Sequence, residues 1–206
     1  MTDPQRRAYK STRREQQAAH TRSDILATAH RMFRELGWPG TGMREVAEET
    51  GVSVVTVYAH FKSKAELLMA VLDVTIVGDA DPVALRDRPE FAALTAGSRR
   101  KRIAAAAAMT ATIHERTAGI YVALRQAAMS DVDLATRLRE SEDRRREAVA
   151  QTFALVLNRP PSTRERDGVW AVTSLEVFQM LTASAGWTTG EYRDWLADTM
   201  DRLTRS

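Results

Sequence analysis

Residues 44–68 read REVAEETGVSVVTVYAHFKSKAELL. A helical pattern stops at Gly51-Val52-Ser53, restarts briefly, and restarts again at Ser63. Two short helices joined by so tight a turn cross steeply, which requires small residues where their backbones meet. Ala47 supplies the small contact, Gly51 the left-handed turn, and Val46, Val52, Val57 and Phe61 the inward apolar anchors. Ser53 caps the second helix of the pair, which runs to about Phe61. Ser63 with Glu66 forms a capping box that opens a further helix carrying Leu67, Leu68, Val71, Leu72 and Ile76. The pattern is a helix-turn-helix.

The second helix of such a motif enters the DNA major groove and reads base edges with its first turns. Its outward residues here are Val54, Val55, Thr56, Tyr58 and His60. Thr and Tyr hydroxyls donate to phosphate oxygens, and a valine methyl packs on a thymine methyl. Neither valine makes the bidentate pair that identifies guanine. Arg44, at the start of the preceding helix, is the nearby side chain able to make it. Lys64 lies in a first helical turn, where a cation opposes the helix dipole, and a phosphate partner would explain it.

Upstream, Thr21 with Asp24 reads as a capping box for a helix over 21–36, with Ile25, Leu26, Ala29, Phe33 and Leu36 as its apolar stripe and Gly37 as its stop. Before residue 23 stand Arg6, Arg7, Lys10, Arg13, Arg14 and Arg22 against Asp3 and Glu15. Residues 1–20 are therefore expected to be a disordered basic arm, either merely solvated or reaching DNA. Downstream, DADPVALRDRP at 79–89 marks a connection, and helices follow at about 97–115, 118–129, 131–157, 163–185 and 189–204. The expected organisation is all-α: the arm at 1–20, a helix-turn-helix domain with a connecting fourth helix at 21–78, and a second helical domain at 79–206.

Composition narrows the function classes. The 206 residues are 44% hydrophobic and 28% charged, which suits a folded globular chain. There is no cysteine, and the four histidines (20, 30, 60 and 114) have no metal-ligand spacing, so neither a metal nor another cofactor is expected. No nucleophile–base pair or phosphate-cradling loop points to an enzyme. The longest apolar run, IAAAAAM at 103–109, falls far short of the ~20 residues of a membrane span, and no secretory signal opens the chain. A cytoplasmic location is expected.

TGMREVAEETGVSVVTVYAHFKSKAELL at 41–68 closely resembles the DNA-binding motif of the TetR-type transcriptional regulators, bacterial dimers with two all-helical domains. The resemblance covers Thr21, Phe33 and Gly37, then Thr41, Met43 and Arg44, the GVS turn, Thr56 and Tyr58, FKSK at 61–64, and Glu66-Leu67. It implies that Thr41, Tyr58 and Lys64 hold backbone phosphates while Arg44, Val54, Val55, Thr56 and His60 face bases. Gly42 departs from the family's usual Ser or Thr and removes a possible cap. His60 stands where many members carry an aromatic.

The same resemblance implies a homodimer that reads a palindromic operator, most often as a repressor, and responds to a small molecule of unknown identity. Val172, Leu175, Trp195, Leu196 and Met200 on the last two helices are candidates for the dimer interface, with intramolecular core as the alternative. Met109, Ile113, His114, Tyr121, Arg125, Trp170 and Phe178 are candidates for an effector pocket, though most of them read more readily as core and only a minority are expected to touch a ligand. Glu176 needs a partner, for which Arg125 or Arg116 would serve. Two other functions stay open: a helical small-molecule-binding protein, and an architectural DNA binder without operator specificity.

Overall fold

The protein was analysed as a computed structural model. It describes residues 4–78 and 85–205, with side chains from Arg14 onward except Arg86. Among the described residues there is no strand. The first helix, α1 (Pro4–Gly40), begins well before Thr21. Residues 5–36 contain no Gly or Pro and are rich in Arg, Gln, Glu and Ala, so helix propensity carries the backbone through Thr21 without a cap. The arm expected to be disordered is thus helical from Pro4. The side chains of Arg6, Arg7, Lys10 and Arg13 lie outside the described residues.

Gly37 (φ 66°, ψ −170°) breaks α1 and sets Trp38-Pro39-Gly40 off its axis. The tight motif follows as α2 (Met43–Thr50), α3 (Val54–His60) and α4 (Lys64–Val77). Gly51 adopts the left-handed conformation at φ 75°, and the Val52 amide donates to the Ala47 carbonyl at 3.0 Å, closing the end of α2. Ser53 Oγ accepts from the Thr56 amide at 3.0 Å and starts α3. Ser63 Oγ likewise accepts from the Glu66 amide at 3.1 Å, but Glu66 returns its bond to the Lys62 amide rather than to Ser63 itself.

Beyond a short 3-10 turn at Leu85–Asp87 and α5 (Pro89–Ala92) come α6 (Arg99–Ala128), α7 (Val132–Leu157), α8 (Thr163–Val172), α9 (Leu175–Gln179) and α10 (Thr189–Leu203). Two boundaries differ from those read in the sequence. Residues 97–115 and 118–129 form one helix, because nothing in Glu115-Arg116-Thr117-Ala118 breaks it and Gly119 alone costs only ~1 kcal/mol. Residues 163–185 divide instead at Thr173-Ser174. There the Thr173 hydroxyl donates to the Val169 carbonyl and Ser174 caps α9, which runs into a π-helical turn at Met180–Ser184.

Two cores lie along α6. Its first half puts Ile103, Ala106, Ala107 and Ala111 among Phe153, Val169, Phe178, Tyr192, Leu196 and Met200. Its second half puts Ile120, Ala123, Leu124 and Ala127 among Ile25, Phe33, Val46, Val57, Phe61, Leu68 and Val71. The core of the head therefore does not close at residue 78; α6 completes it. Leu196 and Met200, offered as interface residues, are 0% and 1% exposed within the single chain and belong to its own core, while Val172, Leu175 and Trp195 are half-buried.

The two tight glycines are expected to differ in cost. A Cβ on Gly37 would lie 2.6 Å from Gln126 Oε1 in backbone space that L-residues scarcely enter, whereas a Cβ on Gly51 would meet nothing within 4 Å. Gly37→Ala should cost ~1–3 kcal/mol or more, and Gly51→Ala about 1 kcal/mol, in urea unfolding. An equal or larger loss for Gly51→Ala would contradict the glycine-only backbone conformation at Gly37.

Candidate nucleic-acid interface

The exposed strip runs over α3 and the starts of α2 and α4. Val55 is 74% exposed and Tyr58 49%, the largest apolar and aromatic surfaces on the motif. Arg44 is exposed at the start of α2. Thr56 and His60 lie on the same helix. The Thr56 hydroxyl shares a hydrogen bond of 2.8 Å with Ser53, and the His60 ring lies 6.3 Å from that of Phe61. Val54 is half-buried against the core, so Val55 rather than Val54 is presented outward. Arg22, read in the sequence only as one of the basic arm's cations, stacks its guanidinium 4.9 Å from the Phe61 ring centroid, beside the end of α3.

Two expectations need correction. Thr41 is fully buried, and its hydroxyl donates to the Gly37 carbonyl at 2.9 Å, so it ties the Gly37–Gly40 turn rather than facing outward. Lys64 needs no phosphate to explain its place. Its Nζ donates to the Trp38 carbonyl and lies 4.1 Å from the Trp38 ring centroid, a cation–π contact. Burial lowers the Lys64 pKa, and the Glu45 carboxylate opposes that shift. Trp38, which reading the sequence passed over, organises this corner; an aromatic between Gly37 and Pro39 was its only trace.

The residues offered as pocket lining are drawn into packing and a polar network. Arg125 donates to Glu176 at 3.0 Å, as one of the two expected partners; the other, Arg116, donates instead to the Ile76 carbonyl at 3.0 Å. Tyr121 lies 3.0 Å from Glu142 and 3.2 Å from Glu176, and burial together with these carboxylates raises its pKa. One phenolic hydrogen thus faces two carboxylates. Arg145 and Arg146 lie over Trp170 at 5.3 and 5.5 Å, and Arg145 also bonds Glu142 and the Trp170 and Thr173 carbonyls. Met109 packs against the second core, Ile113 is half-buried on α6, and His114 packs edge-on against Phe178 at 5.5 Å. A groove of about 420 Å³ lies elsewhere, between Thr95, Arg102, Leu155 and Asn158.

Known proteins match this geometry. Residues 25–71 match the model of the family described as bacterial regulatory proteins, tetR family. The transcriptional regulator TtgR of Pseudomonas putida is 39% identical over 61 residues, 30% of this chain and 29% of TtgR. The transcriptional activator FasR of Mycolicibacterium smegmatis is 43% identical over 51 residues, 25% of this chain and 23% of FasR. The likeness to these relatives therefore spans under a third of their length. Over the whole fold, a TetR-family member from Streptomyces coelicolor aligns with a TM-score of 0.61 at 20% identity, covering 87% of this chain and 97% of that one. The multidrug binding protein EbrR, complexed with imidazole, aligns at 0.54 and 17% identity over 86% of this chain and 93% of its own.

His114 gives the second core a pH signature. It is 6% exposed, its Nδ1 lies 3.2 Å from the Tyr192 hydroxyl, and burial with the Arg145 charge pushes its pKa down to about 4. The unfolded chain takes up this proton near pH 6.5 and the folded chain only near 4. Stability present above pH 6.5 should therefore fall by about 3 kcal/mol as the pH drops to 4. His114→Phe should flatten that part of a urea-midpoint profile; an unchanged profile would contradict a neutral buried imidazole.

Proposed function

We infer that this chain, whose residues 25–71 match the tetR family of bacterial regulatory proteins, is a sequence-specific, ligand-responsive DNA-binding regulator that acts as a homodimer. The observation that carries the reading is the exposure of Val55 and Tyr58 on α3, with Arg44 exposed beside them. A helix so placed can enter a major groove with Val55 toward thymine methyls, Arg44 toward a guanine edge and Tyr58 toward a phosphate. Lys64 joins as a phosphate ligand through donors not committed to Trp38. Thr56 and His60 are secondary base contacts, and Thr41 acts indirectly by holding the turn before α2.

A single short helix reads only a few base pairs, so a palindromic site read by two copies is the economical arrangement. Met180, 57% exposed, and Leu203, 38% exposed, leave apolar surface on the carboxy-terminal helices for a second copy. The sign proposed is repression, because a protein seated in the groove excludes others from the same DNA. Residues 21–78 serve as reading head and 79–206 as the regulatory half, with the Tyr121–Glu142–Glu176–Arg125 network as the candidate responsive element. A ligand acts on DNA affinity only if it favours one arrangement of that half over another. No step of this account requires catalysis.

Selection of duplexes from a random pool at near-physiological salt should enrich a palindrome. Arg44→Ala should weaken binding to it by ~1–3 kcal/mol and relax preference at one guanine in each half-site. Tyr58→Ala combined with Lys64→Ala should abolish enrichment. Equal retention of all duplexes by the wild type would make this an architectural binder instead, and no retention would overturn the DNA-binding reading altogether.

A further inference from the structure

The end of α1 sits between the regulatory half and the DNA face. From α6, Gln126 Oε1 accepts the Trp38 amide at 3.0 Å. Gly37 makes this approach possible, since a Cβ there would lie 2.6 Å from the same oxygen. Trp38 stacks on Phe33 with ring centroids 6.2 Å apart and planes within 9°. Its carbonyl accepts from Lys64, whose ammonium lies 4.1 Å from its ring centroid. Gln126 and Lys64 thus hold one residue from opposite sides: one takes its N–H, the other its carbonyl and its ring. The Thr41 amide reaches the same carbonyl at 3.4 Å, which brings the start of α2 to this point.

We propose that Gln126, Trp38 and Lys64 form a relay in which α6 sets where the Lys64 ammonium stands at the DNA face, making Gln126 a positioning residue for phosphate contact. The route is separate from the contact at the other end of α4, where Arg116 caps the Ile76 carbonyl. Any shift of α6 along or about its axis moves Gln126, and the Trp38 amide moves with it or loses its acceptor. Trp38 then tilts on Phe33, and Lys64 loses its carbonyl and the ring face together. An ammonium has three N–H donors, so in the seated state two remain for a phosphate while the third and the ring fix its place. Once unseated, the long lysine stem must be ordered again by the DNA alone, at a cost in side-chain entropy. Gln126 is exposed, so its replacement disturbs no core.

The DNA part of this proposal rests on the regulator reading above, and the test separates the two. Lysine ¹³Cε titration by NMR is tractable because the chain has only four lysines, at 10, 62, 64 and 101. Lys64 should titrate below the exposed lysines. Gln126→Ala should move it up toward them, and Gln126→Met, which keeps the bulk but removes the acceptor without adding charge, should do the same. On the selected duplex, Lys64→Met should lower the slope of log affinity against log salt by about 1, whereas Gln126→Ala should weaken binding with the slope unchanged. Adding Gln126→Ala to Lys64→Met should change nothing further. A Lys64 titration unmoved by Gln126→Ala, or fully additive effects on DNA, would overturn the relay. If the wild type selects no duplex, the regulator reading fails while the titration still decides the relay.

Discussion

Helix α6 is buried at both ends by different partners, and the rest of the molecule is arranged by that constraint. Ile103, Ala106, Ala107 and Ala111 share a core with α7, α9 and α10, while Ile120, Ala123, Leu124 and Ala127 complete the core of α1–α4. At 1.5 Å per residue its 30 residues span about 45 Å. A single stiff element of that length gives the two halves a common frame. The alanines matter as much as the larger residues, since small side chains let neighbouring backbones approach where bulk would hold them apart.

On that frame α3 is held by short-range chemistry. Gly51 and the Val52–Ala47 hydrogen bond set the angle between α2 and α3, Ser53 starts α3, and Val57 and Phe61 anchor its inner face. α3 has only seven residues and would not persist alone, so its geometry comes from packing. What is left outward is therefore fixed in direction, which a groove-reading surface requires. Gly42, which offers no side-chain cap, does not prevent α2 from forming, because the turn before it is tied by Thr41 to Gly37.

Features with local causes were legible in the sequence. The caps at Ser53 and Ser63, the left-handed Gly51 and the inward faces of α2–α4 all follow from residue type and spacing. Features decided by distant partners were not. Lys64 reads as an unsatisfied cation until Trp38 folds beneath it, and Thr41 reads as outward until the Gly37 carbonyl claims its hydroxyl. Periodicity identified Leu196 and Met200 as apolar but could not say whether their own chain or a second copy covers them; their own chain does. The continuity of α6 was not legible either, because its hydrophobic face changes partner midway, from one core to the other.

In the proposed function, two copies of α3 carried on this frame meet DNA in adjacent grooves. Hydroxyl-radical footprinting on the selected duplex tests it directly. Two protected patches should appear on one face of the helix, centred ~34–36 Å apart or a whole multiple of that, and symmetric about the palindrome's centre. A single unbroken zone around all faces, or two patches on opposite faces, would contradict it.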